Sequence, residues 1–162
     1  MRVFLAATLP KLSELHRSGR LMAADGSAFA VTPALREWYI EGDAEELEYA
    51  ALVEAARASL GLLAADLAAP PRRAVVAADV ADAVPDATNG RAAVRFAAPV
   101  SIDQVVSLHV DATDAEETVR VAVAAYAAAA TGDEDAVIAV EEPAGFELLW
   151  YATQELPDLL QI

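Results

Sequence analysis

Cysteine is absent from the 162 residues, which excludes disulfides, thiolate metal sites and cysteine nucleophiles. Glycine is scarce, and the seven present are not grouped for phosphate binding. Asp25-Gly26 and Asn89-Gly90 lack the repeated glycines and the Lys-Ser or Lys-Thr of a phosphate loop. Ala6-Ala7-Thr8-Leu9-Pro10 has no glycine to admit a pyrophosphate to the backbone, so a dinucleotide cofactor is not expected. Positive charge is the third shortage. Eleven Lys or Arg face 26 Asp or Glu, a formal net charge of -15, and from residue 111 onward twelve acids accompany one Arg. Nucleic acid is therefore not expected as a partner, because a phosphate-backbone footprint needs clustered cations. Long apolar runs are missing too. The opening Met-Arg-Val-Phe-Leu-Ala-Ala meets Pro10 and Lys11 too early for a secretory leader or a membrane span, so the expectation is a cytoplasmic protein with no membrane contact.

What is present suits a core. The hydrophobic fraction is 56%, much of it alanine, which favours close packing of elements over a large side-chain cluster. The length fits one domain over residues 1–162. The most informative stretch runs from Val105 to Tyr151. Val106, Leu108 and Val110 alternate with Ser107, His109 and Asp111, the period of a strand with one apolar face. Thr113 with Glu116 three residues later has the spacing of a capping box, and Val119, Val123 and Tyr126 carry the helix to Gly132. A short helix over 136–142 and an extended segment over 146–151 follow.

The rest alternates similarly. Arg2 to Ala7 reads as a strand covered on both faces, and Thr8 with Pro10 starts a helix that Gly19 ends. Residues 27–32 form a second strand, and Thr32-Pro33 caps a helix containing Leu35, Trp38 and Tyr39. Asp43 and Glu46 start a long helix reaching Ala65, with Leu47, Ala51, Ala55 and Leu62 as its apolar stripe and Gly61 as a point of close contact with another element. Strands follow at 73–78 and 92–97, and a terminal helix over 153–160 packs its leucines back on the sheet. The alternation predicts an α/β or α+β fold, with a single mixed or mainly parallel sheet packed by helices and a helical section between the second and third strands.

Chemical candidates are few. His109 shares the non-apolar strand face with Ser107 and Asp111, where an imidazole can exchange a proton near neutral pH. His109, Asp111 and Glu155 are accordingly the candidates for a His-carboxylate site, with Asp111 or Glu155 as orienter. His16 reads as an ordinary helix residue. The acids at 111–116 and 133–135 are accounted for by capping and by a solvated turn, so no metal and no cofactor is expected. Trp38 and Tyr39 diverge on a helix, and Trp150 and Tyr151 face opposite ways on a strand. One member of each pair is thus available to a ligand or partner, and Arg36 can orient a carboxylate there.

The segments Phe29-Ala-Val-Thr-Pro-Ala-Leu-Arg-Glu-Trp-Tyr39, Glu45-Glu-Leu-Glu-Tyr-Ala-Ala51 and Leu149-Trp-Tyr-Ala-Thr-Gln-Glu-Leu156 resemble those of an uncharacterised family of small intracellular proteins from high-GC actinobacteria. The resemblance implies a stand-alone intracellular domain and supplies no activity, cofactor or catalytic residue set. Two classes of function follow. The first is a noncatalytic interaction or regulatory domain that binds a protein or small molecule through Arg36, Trp38, Tyr39, Trp150 and Tyr151, or assembles as a homo-oligomer. The alternative is a small-molecule hydrolase using His109.

Overall fold

Strand β1 (Arg2–Ala7) lies fourth of seven in the main sheet, where its near-continuous apolar run is covered on both faces. The structure, a computed structural model, describes residues 1–162. In chain order β1 is followed by α1 (Leu9–Ser18), β2 (Arg20–Leu21), β3 (Ser27–Ala30), α2 (Pro33–Trp38), α3 (Ala44–Ala65), β4 (Ala74–Asp79), β5 (Val84–Pro85) and β6 (Ala93–Arg95). Then come β7 (Val100–Ser101), β8 (Val105–Val110), α4 (Glu116–Ala130), α5 (Glu134–Glu141), β9 (Leu149–Tyr151) and α6 (Leu156–Leu160). The main sheet has the order β5-β6-β3-β1-β4-β8-β9, and β2 pairs with β7 in a separate ribbon.

Every pairing in both sheets is antiparallel, which corrects the expectation of a mixed or mainly parallel sheet. Two features of the connections explain it. The helical section between β3 and β4 does leave those strands running the same way, but β1 lies between them and opposes both. Between β8 and β9 the chain makes two helical passes, α4 and α5, and so returns to the end of the sheet it left. A single pass would have delivered a parallel neighbour.

The helix starts follow their sequence signals closely. The hydroxyls of Thr8 and Thr32 accept from the amides of Lys11 and Leu35, and the Asp43 carboxylate accepts from that of Glu46. Gly19 ends α1 at φ 74°, a left-handed cap that returns its amide to the Leu15 carbonyl. The box at Thr113 does not form. A 3-10 turn over Thr113–Ala115 precedes α4, and no side chain caps it.

The two sheet faces are covered differently. Val3, Leu5, Ala7, Val76, Leu108 and Val110 meet α1 through Leu12 and Leu15, and the terminal α6 through Leu156. Burying each such Leu or Val contributes about 1.5–3 kcal/mol. On the opposite face Phe4, Val75 and Ala77 pack under α3 through Leu47, Ala51 and Ala55. The stripe then continues at Ser59 and Leu63 rather than at Leu62, which is only half-buried. Sequence polarity disguises Ser59, whose hydroxyl donates to the Ala7 carbonyl at 2.7 Å and accepts from the Ala74 amide at 3.2 Å, tying β1 to β4. In β8 a register shift opposite Ala77 and Ala78 breaks the alternation. Val105 joins the core and Val106 is exposed, the reverse of what the period alone requires.

Beyond the sheet, Leu60 and Leu63 of α3 pack against Val119 and Ala122 of α4. Gly61 supplies the close contact there: a methyl group at this position would lie 2.9 Å from the Tyr126 hydroxyl. No helix is long and apolar enough to cross a membrane. In a Tyr126→Ala background, Gly61→Ala should stabilise by about 0.5–1 kcal/mol, the helix-propensity difference. In the native background the gain should be smaller because the phenol must move. Urea midpoints for the four proteins check this, and equal gains in both backgrounds would remove Tyr126 from the account.

Candidate functional site

β8 carries Ser107 and His109 toward the α3 face, with Val75 and Trp150 directly beside His109 on the neighbouring strands, and Asp111 follows its last residue. The Ser107 hydroxyl lies 3.0 Å from His109 Nε2. His109 is half-buried, and desolvation lowers its pKa below the ordinary 6.5, favouring the neutral imidazole. No carboxylate bonds to that ring. A neutral imidazole against a hydroxyl is the contact a nucleophile and its base would make, but Ser107 is only 6% exposed.

The two carboxylates proposed beside His109 are placed elsewhere. Asp111 is wholly buried and faces Arg73, whose side chain is 5% exposed. Arg73 Nη2 donates to Oδ1 at 2.8 Å, and Nε and the backbone amide donate to Oδ2 at 2.9 and 2.8 Å. Arg72 clamps the Asp111 carbonyl through Nε and Nη2 at 3.0 and 2.8 Å, while Arg73 Nη2 also donates to the Phe146 carbonyl. Glu155 follows β9, and its Oε2 accepts from the Ala152 amide at 2.7 Å, closing the 3-10 turn over Thr153–Glu155 that precedes α6. Ser107, rather than Asp111 or Glu155, is therefore the side chain brought to His109. No group of three or more His, Asp or Glu side chains converges as metal ligands.

The aromatic candidates separate into two places. Trp38, 61% exposed at the end of α2, lies under the Arg91 guanidinium, which sits 3.7 Å from the ring centroid. Tyr39 is exposed beside it, and the two help line a cleft of about 450 Å³ with Phe29, Tyr49 and Val53. Arg36 is exposed and makes no ion pair or side-chain hydrogen bond, and it lies outside that lining. Trp150 is 63% exposed on the edge strand β9, whereas Tyr151 packs against the core under α1 and α6. Between β3, which leads into α2, and β9 there are four strand spacings, about 19 Å. The two tryptophans do not form one surface.

A second cleft has no counterpart among the candidates read from sequence. It lies between α3 and the segment from Val140 to Leu148, encloses about 230 Å³, and meets the Trp38 cleft at Tyr49, Val53 and Glu54. Arg57 of α3 and Glu141 of α5 form an ion pair at its edge. The signal for it was present as a second apolar row on α3, Leu52-Ala56-Leu60, each member four residues from the last.

With this geometry in place, comparison with known proteins adds one finding. The chain belongs to a family of unknown function, DUF6912, which matches residues 1–160. No curated protein and no solved structure matches it.

Asp111→Asn leaves the Arg73 charge buried without its counterion and should cost about 3–5 kcal/mol in urea unfolding. Replacing both partners, Arg73→Met with Asp111→Leu, should recover more than half of that loss. His109 gives a pH signature. Its folded pKa is depressed, so the unfolded chain takes up the proton first, and the stability held above pH 6.5 is lost as pH falls through the folded value. His109→Gln should remove this component: the stability difference between native and variant protein should be constant above pH 6.5 and shift against the native protein below it. A difference independent of pH across that window would contradict the assignment.

Proposed function

We propose, for a chain whose family assigns it no activity, a noncatalytic interaction or regulatory domain that receives a protein segment on the Trp38 side of α3. The supporting observation is the stack of Arg91 on Trp38. It holds a large aromatic ring open to solvent beside a cleft, with Tyr39, Tyr49 and Val53 also exposed around it. Aromatic and Arg side chains in such positions are the usual anchors of protein contacts. Glu46 and Glu54 line the same cleft, so the segment that fits it presents an apolar side chain with a basic residue near it. A second copy of this chain is a poorer fit, because it brings a further formal charge of -15 to an already acidic surface. The cytoplasmic setting and the actinobacterial origin are expectations of the sequence and belong to the same proposal.

The alternative reading, a small-molecule hydrolase, draws on the Ser107–His109 contact. It requires Ser107 to become accessible and His109 to work without an acidic orienter. The low exposure of Ser107 and the engagement of Asp111 by Arg73 favour the noncatalytic reading.

A photoreactive residue in place of Tyr49 should give one discrete protein adduct in cells of the source organism. Trp38→Asp should abolish that adduct without changing the melting temperature, since Trp38 is largely outside the core. No adduct, or one indifferent to Trp38→Asp, would overturn the reading. So would saturable hydrolysis of p-nitrophenyl acetate that His109→Gln removes.

A further inference from the structure

The cleft between α3 and the 140–148 segment has a buried cation among its lining residues. Arg73 is held by Asp111 through Nε, Nη2 and its own amide, and Nη2 serves the Phe146 carbonyl as well. Nη1 alone among the guanidinium nitrogens donates to nothing in the chain. No buried side-chain nitrogen or oxygen lacks a hydrogen-bond partner, so Nη1 keeps some accessible surface, and Arg73 is among the residues that line the open space of this cleft. A side chain this buried keeps one pair of N–H donors available only where something other than protein can accept from them.

Most of the rest of the lining is apolar. Leu52 and Leu60 of α3 face Val140, Phe146 and Leu148 across the cleft. Its volume of about 230 Å³ exceeds the roughly 150 Å³ that admits benzene in an apolar cavity, so it accommodates one ring with a short substituent. Charge selects the kind of acceptor. Asp111 already neutralises Arg73, and Glu54, Glu141 and Glu147 lie around the cleft with Arg57 as the other lining cation. An anionic ligand meets net repulsion there, and an ammonium group would confront the Arg73 donors.

We infer that this cleft is a binding site for a small, uncharged apolar molecule bearing one carbonyl oxygen, a ketone, ester or amide, whose oxygen accepts from Arg73 Nη1 while its apolar body lies between α3 and Phe146. This goes beyond the protein-binding proposal and does not rest on it, since Trp38 and Arg91 lie outside this cleft. The Arg73–Asp111 pair thereby acquires a second role. It anchors the sheet, and it holds the guanidinium in place before any ligand arrives.

The test uses three probes of nearly equal shape: acetophenone, its hydrocarbon isostere α-methylstyrene, and benzoate. Each is titrated against the full chain and followed by methyl resonances of Leu52, Leu60, Val140 and Leu148. Acetophenone should shift these signals saturably and bind about tenfold more tightly than α-methylstyrene, the worth of one hydrogen bond to a charged donor. Benzoate should bind more weakly than acetophenone. Ala144, exposed on the cleft lining, offers a blocking variant that avoids the buried ion pair: Ala144→Trp should abolish the shifts at unchanged melting temperature, and Trp38→Asp should leave them intact. If no saturable shift appears at millimolar acetophenone, if the hydrocarbon binds as tightly, if benzoate binds more tightly, or if Ala144→Trp changes nothing, the inference is overturned. Loss of the shifts in Trp38→Asp would overturn the independence of the two clefts.

Discussion

The buried pair between Arg73 and Asp111 is the constraint on which much of the remaining arrangement depends. It joins the start of β4 to the end of β8, and through the Phe146 carbonyl it also holds the segment that returns from α5 to β9. Arg72 adds the backbone of Asp111 to the same knot. Charges removed from water are tolerated only when their hydrogen-bonding capacity is nearly filled, and this geometry permits little variation in where β4, β8 and residues 143–148 meet. The walls of the cleft beside α3 are set by that meeting point.

Around this knot, the helices divide the work of covering the sheet. α1 and α6 close one face, and α3 closes the other while supporting the α4–α5 pair along its far end. Alanine makes this layering feasible. Ala51 and Ala55 let α3 lie close over Phe4, Val75 and Ala77, and Gly61 lets Tyr126 of α4 approach the same helix. Aromatic side chains are few among the buried residues, Phe4 and Phe96 alone, and several sizeable ones are exposed. Trp38, Tyr39 and Tyr49 stand together beside α3, and Trp150 stands alone on the edge strand. Contiguity distinguishes the first group from the second as a binding surface.

Local signals held at the starts of α1, α2 and α3 and failed at Thr113, where a 3-10 turn takes the place of the capping box. Thr8, Thr32 and Asp43 cap helices as their spacing requires, since each needs only an amide three residues away. The candidate site was legible in a different proportion. Adjacency on a strand does separate exposed Trp150 from Tyr151, but α2 ends at Trp38 and both Trp38 and Tyr39 are exposed, against the expectation that one of them packs in the core; the distance between the two pairs has no mark in the sequence. His109 lies on β8 and Asp111 follows its last residue, yet the partner of Asp111 lies 38 residues earlier in the chain. A single buried Arg after two prolines carries no local mark of that pairing. Val106 illustrates the same limit within one strand: a bulge in the pairing of β8 with β4 leaves Val106 unpaired and exposed while Val105 joins the core.

The sequence by itself determined the class of fold, the main helices and strands, and the lack of a glycine-rich phosphate loop or thiolate chemistry, because propensity, capping and residue inventory are properties of short segments. Tertiary structure alone decided the direction of the strands, the binding of Asp111 by Arg73 in place of His109, and the existence of the cleft lined by Arg73. Each of these depends on which distant segments lie side by side. Strand direction turns on the number of helical passes between neighbours, and the pairing of a charge turns on which opposite charge the completed sheet places across from it.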